Sequence, residues 1–114
     1  MTHYLIWFPS AAMVLTEEEF PDVVADSHAV IQEMKEAGVY VFGGGIDEAV
    51  EPVVVARDGS ATVGGYPGRQ EELDGGMTVI RVETKDEALQ WAAKVAAACR
   101  CPQELRAFGY DPAS

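Results

Sequence analysis

Met77–Glu83 reads MTVIRVE, Thr84–Glu87 reads TKDE, and Ala88–Ala98 reads ALQWAAKVAAA. The first run is β-branched and apolar over strand length, so it predicts a strand. The second is a capping box: the Thr84 hydroxyl can accept from the backbone N–H of Glu87, whose carboxylate can reach back. The third is an alanine-rich helix whose Ala88, Leu89, Ala92, Val95 and Ala96 recur at helical spacing and predict a buried stripe. A strand feeding directly into a capped helix is a β-α unit, and the rest of the chain can be read against it.

The N-terminal part repeats that logic. Thr2–Phe8 (THYLIWF) predicts a strand that ends at Pro9. Thr16–Glu19 (TEEE) is another capping box, and Pro21 falls in the first turns of a helix, where its missing N–H costs little. Phe20, Val23, Val24, Ser27, Ile31 and Met34 share one face of that helix, and Gly38 stops it. Val39–Phe42 (VYVF) predicts a second strand running into Gly43-Gly44-Gly45. Val53–Arg57 predicts a third, turned at Asp58-Gly59 so that Ser60–Val63 returns beside it. Residues 64–76 (GGYPGRQEELDGG) are too glycine-rich for a regular element throughout, with room for a short helical turn over Gln70–Leu73. Gln103–Phe108 supplies a closing strand.

The order is β-α-β-(β-hairpin)-β-α-β, an α+β domain of the ferredoxin-like βαββαβ type with an extra hairpin, occupying residues 1–114 as one unit. Helices packed on one face of an antiparallel sheet ordinarily leave the other face polar. Here they do not. Leu5 and Trp7 point one way while Tyr4, Ile6 and Phe8 point the other; Val39 and Val41 oppose Tyr40 and Phe42; Met77 and Val79 oppose Ile80 and Val82. Two helices cover one face, so the second face calls for a cover, and a second copy of the chain paired sheet to sheet is the expected one. A large ligand or a foreign partner is the alternative.

Totals narrow the function classes. The chain has 114 residues, 48% hydrophobic and 24% charged, as in a globular protein. Eight Lys and Arg stand against nineteen Asp and Glu, a formal charge of −11. That field repels phosphate backbones and anionic lipid over roughly 8 Å at physiological salt, so neither nucleic acid nor a membrane is an expected partner. The N-terminus lacks the basic start and apolar stretch of a signal peptide, and cytoplasmic localisation is expected. Cys99 and Cys101 are poorly spaced for a relaxed disulfide and have no His beside them, so they read as reduced thiols near a helix end.

Met34–Gly45 (MKEAGVYVFGGG), the Asp58-Gly59 turn and Glu71–Ala93 (EELDGGMTVIRVETKDEALQWAA) together resemble the YCII-related, or DGPF-domain, family, over a span from the first strand to the last. The resemblance implies a ferredoxin-like domain that dimerises into an α+β barrel. Most members have no known function; some relatives look like small-molecule enzymes, including a dehydrochlorinase acting on a chlorinated muconate, in which a helix-one histidine and an aspartate are proposed to act as a pair. Others are associated with alternative sigma factors. The region corresponding to the DGPF box reads Val63-Gly64-Gly65-Tyr66-Pro67 here and carries no carboxylate.

His28, at the margin of the first helix's apolar stripe, is the candidate catalytic residue, a general acid or base; its alternative reading is a partly buried histidine bonded to backbone or to a neighbour such as Asp26. Trp7, Tyr66 and Arg69 are candidate pocket residues, pairing aromatic wall with a carboxylate-binding guanidinium. Asp47, beside Glu48, is a candidate ligand contact or else part of a solvated acidic turn. No cofactor and no metal is expected. Two functions remain open: a small-molecule lyase or isomerase using His28, and a non-catalytic dimeric ligand-binding or regulatory module.

Overall fold

The threonines of both capping boxes accept from the amides three residues on, and in the first box the glutamate reaches back. In the computed structural model, which describes residues Met1–Ser114, Thr16 Oγ1 accepts from Glu19 N at 3.2 Å and Glu19 Oε1 accepts from Thr16 N at 3.3 Å. The turn they close leads into α1 (Phe20–Glu36). Thr84 Oγ1 accepts from Glu87 N at 3.2 Å and opens α2 (Lys85–Cys99). Around the helices run β1 (Thr2–Phe8), β2 (Tyr40–Gly45), β3 (Val53–Val55), β4 (Ala61–Val63), β5 (Gly76–Val82) and β6 (Glu104–Ala107), with a 3-10 turn over Ser10–Ala12.

Gly38, at φ +74°, ends α1 as expected: its N–H donates to Lys35 O and that of Val39 to Met34 O, the paired bonds of a Schellman motif. α2 ends without a glycine. Arg100 takes the left-handed conformation at φ 57°, and its guanidinium donates to Ala98 O at 2.9 Å while pairing with Asp26 of α1 at 3.2 Å.

Four strands form one sheet in the order β2-β5-β1-β6, with every neighbouring pair antiparallel. This α+β arrangement is compatible with the ferredoxin-like topology. β3 and β4 pair only with each other and form a separate two-stranded arm. The arm makes the molecule broad: its extents are 43 × 43 × 20 Å and its radius of gyration is 15.9 Å, against about 13 Å for a compact chain of roughly this length.

The core lies between the sheet and the helices. Ile6, Met34, Ile80 and Val82 are fully buried, packed with Tyr4, Val30 and the small residues Ala88, Ala92, Val95 and Ala98 of α2. The α1 stripe is therefore Val23, Val30 and Met34; Phe20 is 58% exposed and Ile31 half-buried. On α2, Leu89 is 48% exposed and Cys99 takes a core position instead. On α1 the buried line passes through Val30 rather than Ile31 and still ends at Met34, while on α2 it continues one turn further, to Ala98 and Cys99.

Several boundaries also move. β2 continues through the three glycines, which pair with Thr78, Met77 and Gly76. The irregularity falls at Val41, a bulge between Tyr40 and Phe42 that sends these two aromatics to opposite faces: Tyr40 pairs with Ile80 on the helix side, Phe42 with Val79 on the open side. The Asp58-Gly59 turn has three central residues rather than two, with Ala56 N donating to Ser60 O and Gly59 at φ +91°. β3 consequently stops at Val55 rather than Arg57. Gln70–Leu73 is not helical. β6 begins at Glu104, leaving Gln103 free to turn elsewhere.

The open face of the sheet presents Leu5 and Trp7 of β1, Met77 and Val79 of β5, and Phe42 at 65% exposure. Arg81, Arg106 and His3 surround this apolar centre on the same face, as the register with Leu5 and Val79 dictates. No element of the chain is layered over it.

Candidate functional site

Alanine-rich α2 settles close against the sheet, whereas α1 reaches it chiefly through Val23, Val30 and Met34. Beneath the N-terminal half of α1, the strand ends at Gly44, Gly45 and Gly76 line the gap with backbone, and the Phe8 ring lies against Gly76. The result is a cleft of about 500 Å³ between α1 and the sheet, walled by Ile6, Phe8, Val24, Ile31 and Cys99. No Asp, Glu, Lys or Arg lines it; its polar groups come from Ser27, His28, Thr78 and Gln103.

His28 lines the mouth of this cleft and is exposed. The carboxylate two residues before it, Asp26, is engaged by Arg100 instead, and Ser27 Oγ donates to Val24 O of its own helix at 3.1 Å. The imidazole thus borders an apolar cavity with no acidic group in the wall to orient it.

Gln103 was hidden in the sequence, where it reads as the first residue of a strand. Cys101 and Pro102 break the chain after α2, and the residue that follows turns inward. Its Nε2 donates to Cys101 O at 3.3 Å and approaches Cys101 Sγ at 3.5 Å, while its Oε1 is buried with no partner. A polar residue directly after a proline and before a strand was the available signal. Cys99 and Cys101 are both free and buried. Burial pushes both thiols above the usual range; the neighbouring Cys101 raises Cys99 further against a smaller opposing pull from Arg100, and the Gln103 contact partly offsets the rise at Cys101.

Trp7, Tyr66, Arg69 and Asp47 are not gathered around His28. Trp7 and Arg69 border a separate open recess with Glu71, Glu72 and Leu73, on the sheet's uncovered side. Tyr66 is 71% exposed in the loop, its carbonyl accepting from Arg69 N. Asp47 caps its own turn through Ala49 N at 3.0 Å. Its neighbour Glu48 is the residue that binds elsewhere, accepting from Ser10 Oγ at 2.6 Å. Asp74, which no sequence pattern had singled out, ties this region together: its carbonyl accepts from Trp7 Nε1 at 2.7 Å and its carboxylate from Ser10 N at 2.9 Å. No three His, Cys, Asp or Glu side chains gather as a metal ion would need, and no helix is long and apolar enough to cross a membrane.

No protein-family model and no curated protein matches the chain.

Proposed function

We propose that this protein is a homodimeric small-molecule-binding domain of the YCII-related type, whose copies pair their open sheet faces and each hold a ligand beneath α1. The ligand reading is carried by the cleft, a small-molecule-sized apolar cavity with a single imidazole at its mouth. Histidine acting as a base is ordinarily oriented by a hydrogen-bonded carboxylate or carbonyl. With Asp26 committed to Arg100, His28 is better equipped to touch a ligand than to take its proton.

The dimer reading is supported by Leu5, Trp7, Phe42, Met77 and Val79, which form an apolar surface on a sheet face with no helix or strand layered over it. Arg81 and the Arg106–Glu104 ion pair, at 2.9 Å, border that surface with charges of both signs. Buried, unbridged thiols suit the reducing cytoplasm. A lyase or isomerase remains the second reading, favoured by one observation: an imidazole bordering an apolar cavity can move a proton unaided when the substrate itself orients it.

Sedimentation equilibrium tests the assembly. Wild type is expected at twice the chain mass and Val79→Arg, which places a charge at the centre of the open face, at the chain mass; wild type sedimenting as a single chain at tens of micromolar removes the dimer. Turnover of a bound molecule that disappears in His28→Ala, with binding retained, would establish the enzyme in place of the binding module.

A further inference from the structure

We infer that the cleft beneath α1 selects an uncharged, mostly apolar molecule carrying an N–H or O–H donor, and that Gln103 Oε1 receives that donor; this deepens, and rests on, the reading of the cleft as a ligand site. The exclusion of charge comes from the wall. A carboxylate or phosphate entering it gives up water and finds no Lys or Arg, within a chain whose net charge is −11. A cation finds no carboxylate there either. The apolar lining and the volume of about 500 Å³ suit a neutral molecule the size of one or two fused rings.

The donor requirement comes from Gln103. Only the NH₂ end of its amide can donate to the carbonyl of Cys101, so the bond at 3.3 Å sets which end is which and leaves Oε1 as the acceptor. Oε1 is the one buried side-chain nitrogen or oxygen in the molecule without a partner. A buried acceptor left empty has lost its water and gained nothing in return. The bond to Cys101 O, at 3.3 Å, is long and the contact to Cys101 Sγ is to a weak acceptor, and the terminal torsion of glutamine is broad rather than sharply staggered. Gln103 lines the cleft, so a turn of that torsion that carries Oε1 to the cleft surface lets a ligand N–H or O–H meet it. His28 lines the same cleft and can contact the same molecule.

Indole and benzofuran have nearly the same shape, and only indole carries an N–H. Titrated into the ¹⁵N-labelled full chain, indole is expected to move the amide signals of Val24, Ile31 and Cys99 and to bind about five- to tenfold more tightly than benzofuran, the increment of one hydrogen bond. In Gln103→Leu the preference should vanish while benzofuran binding is kept. Equal binding of the two probes to wild type, or a preference that survives Gln103→Leu, overturns the donor role and leaves the cleft as a site. Tighter binding of indole-3-carboxylate than of indole overturns the exclusion of charge. Failure of every probe to move those signals overturns the cleft reading itself.

Discussion

Gly75 has no substitute. It sits at φ +88°, and a Cβ built there would lie 1.8 Å from the carbonyl oxygen of Phe8. Its own carbonyl accepts from Ile46 N, so three chain segments converge on a residue without a side chain. Left-handed backbone alone costs a non-glycine residue about 1–2 kcal/mol, and the clash adds to it. Gly75→Ala is expected to lose at least that much stability, read as a lower urea midpoint at unchanged slope, whereas Gly109→Ala, with open space around it, should leave the midpoint unchanged. The thiols make a second prediction. Folding holds Cys99 and Cys101 above their ordinary pKa, so their contribution to stability is whole below about 8.5, the unfolded value, and is lost as the pH rises through the folded values. Stability should fall from pH 8 to 10, with a shallower slope in Cys99→Ala/Cys101→Ala, as thermal melts would report. At this scale the sequence was partly legible. His28 stood out because imidazole is rare in this chain and lies at a stripe's edge. Gln103 did not, because what distinguishes it is an empty acceptor, which only three-dimensional packing creates.

The elements were legible where local chemistry and global fold agree. β1 spans the residues read for it and α2 begins at Thr84, its N-cap, whereas Thr16 and Glu19 close a turn just ahead of α1, whose N-cap Glu19 has no side-chain bond. Thr84→Ala removes the bond to Glu87 N and should cost about 1 kcal/mol, with Thr84→Ser restoring most of it, both measurable as shifts in the denaturant midpoint. The bulge at Val41 was not legible. A run of VYVF alternates cleanly on paper, and nothing within it announces that one residue will leave the ladder. That single step carries Phe42 to the uncovered side. The strand was read as ending at Phe42, yet the glycines it runs into also form strand, since pairing with β5 offsets their weak intrinsic preference.

For the molecule as a whole, the excess of apolar sheet was visible in the alternation of β1 and β5, which the register bears out residue by residue. The cleft was not, because it depends on the distance between α1 and the sheet, which no local stretch of sequence encodes. On the dimer reading, bringing together two chains of −11 each is opposed by long-range repulsion that salt screens. Association should therefore tighten between 20 and 500 mM sodium chloride, and a fluorescence-anisotropy titration that shows it loosening would point to pairing through opposite charges instead.

β3 and β4 rely on nothing but one another, and a lone pair of strands is marginal in water. Their backbone amides should therefore trade hydrogen for deuterium through a private opening that leaves β1 and β5 shut. Such an arm can come loose and re-form many times within the lifetime of one folded core.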